Sequence, residues 1–207
     1  MPDGAPSTPP SVSPHQVKTG GTSMASPAPD CAALEVMNQQ LRNDLANDPK
    51  SAGIRKIFGA GGASTVAHGA LLPGGPIMGS TSRLLPMRYN SRVVKGLWES
   101  PNRAAMRKTG RSNLCPQPPF QYGNALRPHQ SHCESKLLET LFSPARFPQP
   151  PTGSFLVNIN WQSSLGVKKT PCGACKDLLC HAQEKCDLNI LLCQKNTNAP
   201  PQPLRCD

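Results

Sequence analysis

An α/β fold is what this sequence predicts, and two observations predict it. From Ser131 onward the elements alternate as helix, strand, helix, strand, an order that builds a sheet with parallel neighbours and helices packed on it. The strand segments "SFLVNINW" and "DLNILLCQK" are short and rich in branched or aromatic residues, whereas "SHCESKLLETLF" and "CGACKDLLCHA" repeat their apolar positions at helical spacing. The chain has 207 residues, with 17 glycines and 24 prolines. With 37% hydrophobic residues it has enough apolar surface for one modest core beside a tail.

Along the chain, residues 1–30 are rich in Pro, Ser and Gly and read as a disordered leader. A helix is expected from Cys31, where Ala33, Leu34, Val36, Met37, Leu41 and Leu45 recur on one side and Asp30 stands in the capping place. "GAGGASTVAHGALLPGGPIMGS", residues 59–80, holds too much glycine for a firm assignment and reads as a connector or a packed Gly-rich loop. Residues 31–85 are therefore assigned to an N-terminal helix and connector, and residues 86–207 to the main domain. A short strand is expected in "RLLPMRYNSRVV", weakened by Pro86. "SPNRAAMRKTG" reads as a helix capped by Ser100 and ended by Gly110, with Arg103, Arg107, Lys108 and Arg111 largely on one side. After the Pro-rich breaks come the four alternating elements. "QSSLGVKKT" reads as a connection and "NTNAPPQPLRCD" as a tail.

Net charge is +10. Residues 86–207 carry sixteen Lys/Arg against seven Asp/Glu, which is +9, and residues 1–85 carry six against five, which is +1. A compact basic domain attracts polyanions, nucleic acid above all, and its blander use is solubility or an acidic protein partner. No run approaches the roughly 18 apolar residues of a membrane helix. The opening "MPDGAPSTPPSVSPHQ" has neither the basic start nor the apolar centre of a secretory signal. Nine cysteines, seven of them between Cys133 and Cys206, are an odd and clustered count. Without a signal segment that count argues for thiol ligands and buried thiols rather than a disulfide framework.

Cys172 and Cys175 stand in a C-x-x-C at a helix start, where the positive end of the helix dipole favours thiolate. Two thiolates do not make a site. The best further donor is His132, which with Glu134 forms an H-x-E at the start of the preceding helix. Two helices lying side by side on one sheet would bring His132 to the cysteine pair. Three protein ligands leave a position for water, the arrangement of a catalytic zinc, and Glu134 would reach that water. Each piece has a plainer use. Ser131 and Glu134 have capping-box spacing, and His132 alone would be a surface histidine. Cys180 and Cys186 could complete an all-thiolate structural zinc, and strand–C-x-x-C–helix also fits a redox site. Cys133, Cys193 and Cys206 read as fillers or tail residues.

In order, His132-Cys133-Glu134 followed by Pro171-Cys172-Gly173-Ala174-Cys175 resembles the zinc-dependent nucleoside and nucleic-acid deaminases. The resemblance covers roughly residues 88–195. It implies a cytidine deaminase-like three-layer sandwich, a mixed sheet with helices on both faces, reduced here to a minimal core. It also implies one Zn2+ per chain on His132, Cys172 and Cys175, with Glu134 as the catalytic acid and base. The opening "HCESKLLETL" is similar to the deaminase domains of bacterial polymorphic toxins. That similarity implies cytosine-to-uracil conversion in nucleic acid, DNA before RNA, by a monomer that acts in the cytoplasm of a target cell after delivery by a specialised secretion system. An acidic immunity protein would then be its partner, and no membrane would. Trp161 or Tyr122 would stack on the base, while Asn90, Lys168 and Lys169 would contact sugar or phosphate. Two alternatives stay open: a structural-zinc nucleic-acid-binding module without catalysis, and a deaminase of free nucleosides or nucleotides.

Overall fold

A computed structural model describes residues 28–83, 85–96, 111–112, 120–121, 132–143, 147, 149–163 and 165–207. The leader up to residue 27, the helix expected over 100–110, Tyr122 and Ser131 lie outside these. Helix α1 (Cys31–Ala46) starts where expected, and the Asp30 carboxylate accepts a 2.8 Å hydrogen bond from the Ala33 backbone N–H. Its buried positions Cys31, Leu34, Asn38, Leu41 and Leu45 alternate three- and four-residue steps, one stripe of the helix. A second helix, α2 (Ala52–Phe58), is capped by Ser51 and buries Ile54 and Phe58.

The Gly-rich segment is not a connector. It forms strands β1 (Thr65–Leu72) and β2 (Ile77–Thr81), an antiparallel pair within the main sheet. Glycine serves close approach here: a Cβ on Gly69 would lie 2.5 Å from Cζ of the fully buried Phe155 ring. The strand expected over 83–94 is mostly a 310 turn (Met87–Tyr89) that starts after Pro86, followed by the two-residue strand β3 (Val94–Lys95). Arg111 opens β4 (Arg111–Ser112), which pairs with β5 (Phe120–Gln121) in a separate ribbon.

Helix α3 (Cys133–Leu141), strand β6 (Gly153–Ser163), helix α4 (Gly173–Lys185) and strand β8 (Leu188–Leu192) realise the predicted alternation. The connection before α4 adds a short strand, β7 (Gly166–Lys168), which hairpins back on β6. The expected tail contributes β9 (Gln202–Pro203), and its Leu204 is buried in the core.

The main sheet runs β3-β2-β1-β6-β8-β9, with β7 as a further partner of β6. It is mixed: β6 is antiparallel to β1 and parallel to β8. Strands therefore come from both sides of the boundary drawn after residue 85. Alternation along β6 sends Phe155, Val157 and Ile159 to one face, where Leu137, Leu138 and Leu141 of α3 and Leu178, Leu179 and Ala182 of α4 cover them. Leu156 points to the other face, against Leu34 of α1, and Val66 of β1 meets Leu41 and Leu45 there. Helices thus pack on both faces of a mixed α/β sheet. No helix among the described residues is long and apolar enough to cross a membrane.

Candidate metal centre

Strands β6 and β8 are parallel, so the helix between them crosses one face of the sheet and starts at the carboxyl end of β6. Helix α3 lies on that same face. His132 is the N-cap of α3 and Cys172 the N-cap of α4, and neither side chain makes a capping bond, so both are spared for other work. Cys175 sits in the first turn of α4 and is buried. The helix starts converge: His132 Nδ1 lies 3.4 Å from Cys172 Sγ and 3.3 Å from Cys175 Sγ. All three donor atoms fall within 4.8 Å of one another. Nitrogen and sulfur ligands on a tetrahedral ion stand roughly 3.5–3.8 Å apart, so this imidazole and these two sulfurs could hold one metal ion.

Charge is organised to suit a cation. Hydrogen bonds with Cys175 and then His132 hold the Cys172 thiol down to about 3, well into the thiolate range. The bond with Cys172 in turn raises the His132 imidazole above its ordinary value, and both the bond and burial push Cys175 up. Sulfur at helix N-termini gains further from the helix dipole.

Glu134 stands two residues past His132 and is 5% exposed. With His132 as the N-cap, Glu134 occupies the second helical position and not the third, which a capping box requires. Its carboxyl group instead shares a hydrogen bond with Cys175, and burial raises it above the usual carboxylate range. Cys133, between the two, turns away: its thiol donates to the Thr65 carbonyl at 3.2 Å, and burial pushes it up. Lys136 is fully buried and donates to the carbonyls of Thr81 and Arg83 at the end of β2. It ties the start of α3 to the sheet.

The other predicted contacts divide. Trp161 and Lys168 face one another across β6 and β7, with the Lys168 ammonium 4.9 Å from the centre of the Trp161 ring. Trp161 falls in the alternation of β6 that faces α3 and α4 and remains 38% exposed. Lys169 is engaged elsewhere. Its ammonium turns under the opposite face, to Glu35 of α1 and to the side chains of Asn158 and Asn160. Burial pushes the Glu35 carboxyl up, yet the bonds from Lys169 and Gln39 outweigh it and hold the group below the usual range. Asn90 ends the 310 turn, its side-chain amide 3.9 Å from Met87 Sδ, and no described contact joins it to the His/Cys/Cys group.

The cysteine expectation needs a larger correction. Cys31 is bonded to Cys193 and Cys180 to Cys206, and Cys186 is disulfide-bonded as well. Cys180 and Cys186 therefore cannot complete an all-thiolate metal site. Among the described residues the thiols are Cys133, Cys172 and Cys175. Helical position held the signal: Cys172 and Cys175 sit together at a helix start, whereas the bonded cysteines are scattered over elements that only the fold brings together.

No protein-family model, curated protein or solved structure matches the chain.

Proposed function

We propose that this chain is a zinc-dependent hydrolytic deaminase that converts cytosine to uracil in nucleic acid, with DNA the preferred polymer. The observation that carries the reading is the convergence of His132 with Cys172 and Cys175 beside the buried carboxyl of Glu134. One imidazole and two thiolates are a donor set that suits zinc, and among the described residues the set stops at three, short of the four ligands of a closed structural site. Bound there, zinc would supply Lewis acidity, which brings the pKa of water toward neutrality. Water adds at C4 of the base, the exocyclic amine leaves as ammonia, and uracil remains. Glu134 takes the water proton, delivers it to the ring nitrogen, and then serves the leaving amine. Its burial supports this, because it raises the carboxyl above the usual carboxylate range and so makes it a stronger base toward the water proton.

The alternatives lose support from particular bonds. A closed structural zinc lacks Cys180 and Cys186, and a dithiol redox role leaves His132 and Glu134 unexplained. The toxin reading rests on the likeness of the α3 opening, and an acidic immunity protein belongs to it. Disulfides are rare in chains that stay in a reducing cytosol, so those seen here favour passage through an oxidising compartment before the domain acts.

Metal analysis of the purified chain is expected to find one zinc per molecule, and a cytosine-containing single-stranded oligonucleotide should accumulate uracil. Glu134→Gln should lower the rate by at least about 100-fold while the metal stays bound. Absence of metal, or a Glu134→Gln variant as active as the parent, would end the proposal.

A further inference from the structure

Strand β6 changes partners along one edge. Gly153–Val157 pair with β8, whereas Trp161–Ser163 pair with β7. Between β7 and β8 the sheet opens a notch at the carboxyl ends of β6 and β8, the end of an open α/β sheet where ligands bind. A cleft of about 700 Å³ fills this place, walled by β7, by Thr170 and Pro171 ahead of α4, by the end of β8 and by β9. Pro171 directly precedes Cys172, and Lys176, also in the wall, directly follows Cys175, so the cleft borders the helix start that carries both sulfurs.

Among the described residues five basic ones line it, Lys168, Lys169, Lys176, Lys195 and Arg205, and no carboxylate does. Their positions on β7, α4, the end of β8 and the residues after β9 were brought together by the fold. Lys169 is already neutralised by Glu35. Lys176 meets Asp207 at 3.2 Å, and Arg205 acts on that same carboxylate. Asp207 is 85% exposed, so an incoming phosphate displaces a weak surface pair and not a buried one. A cleft with walls of one sign focuses its field on an anion of the opposite sign. Beside it stands the half-exposed Trp161 ring, over which the Lys168 ammonium lies, and a base that stacks on that face displaces the ammonium toward the phosphates.

We propose that this cleft is the track for the sugar–phosphate backbone of single-stranded nucleic acid, with Lys168, Lys176, Lys195 and Arg205 on the phosphates and Trp161 under a base. The proposal rests on the nucleic-acid deaminase reading and makes the substrate a polymer instead of a free nucleoside.

The test is fluorescence anisotropy of a labelled single-stranded DNA of about ten nucleotides, titrated with the full chain at rising salt. With four phosphates contacted, the log–log salt slope should be roughly −3, and Lys195→Glu/Arg205→Glu should remove about 1.4 of it. Lys50→Glu/Lys56→Glu, two exposed charges at α2, should leave affinity within about twofold if binding is local and not a response to net charge. A flat titration at about 50 mM salt overturns the proposal. So does an α2 variant as weak as the cleft variant, or competition by poly-glutamate of equal charge, which would mark an acidic-protein site. Uracil assays on the same samples separate the two readings. Salt-sensitive binding that the cleft variant loses, without uracil formation, keeps the track and removes the deaminase. Uracil formation with a KM unchanged in the cleft variant does the reverse.

Discussion

On β1, His68 has 2% of its surface exposed, and its Nδ1 lies 2.9 Å from the Asn38 Oδ1 of α1. The Asn38 amide nitrogen is committed to the Asn158 carbonyl, so Oδ1 faces the ring and the Nδ1–H donates to it. Burial drives the imidazole down to about 4. The folded value is below the unfolded one near 6.5, so the folded chain refuses a proton that the unfolded chain takes. Stability from this residue is therefore complete above pH 6.5 and is lost as pH falls from there toward 4, by roughly 3 kcal/mol in all. Denaturant unfolding of the metal-free protein across that window should show the decline, and His68→Gln should flatten it. An unchanged slope in the variant would mean that other groups carry the acid sensitivity. Nothing in the sequence around His68 disclosed this. Its hydrogen-bond partner is 30 residues away, and a lone histidine among small residues gives no local sign of burial.

At the scale of elements, legibility followed apolar spacing. Helices α1, α3 and α4 and strands β6 and β8 could be read because each buries large side chains at a regular period. Strands β1 and β2 hid because the sheet needs small residues there, and β9 hid among prolines, which an edge strand tolerates. The site was legible for the same reason as the helices that carry it: His132, Glu134, Cys172 and Cys175 stand at their starts. The cleft was not, since four separated elements build it. Gly69 tests the account of β1. An added methyl group would lie 2.5 Å from the Phe155 ring, whose packing against α3 and α4 leaves it little room to move. Gly69→Ala should destabilise the chain by about 1–3 kcal/mol despite alanine's gain from a stiffer unfolded chain. Combining it with Phe155→Leu should recover part of that loss, as a double-mutant cycle in denaturant would measure. Simple additivity would show that the two residues are not in conflict.

For the molecule as a whole, the thiols at the candidate centre and the disulfide-bonded cysteines among the described residues have different duties. Cys172 and Cys175 face an imidazole at the meeting of two helix starts and stay thiols. Cys31 and Cys193, both buried, face each other on the opposite side of the sheet and close a separation of 162 residues between the start of α1 and the end of β8. The Cys180–Cys206 bond fixes the C-terminal stretch to α4 across 26 residues. A cross-link over so long a loop restricts the unfolded chain strongly, and losing it should cost roughly 2–5 kcal/mol. The bond lies under α1, away from the face that carries α3 and α4, so stability and metal content should separate. Cys31→Ser/Cys193→Ser should lower the denaturation midpoint markedly and leave the bound metal per chain unchanged. Loss of metal in step with loss of stability would mean that these sulfurs and those of the candidate centre are not independent. The division of labour argued here would then fail at its source, in the pairing of the cysteines.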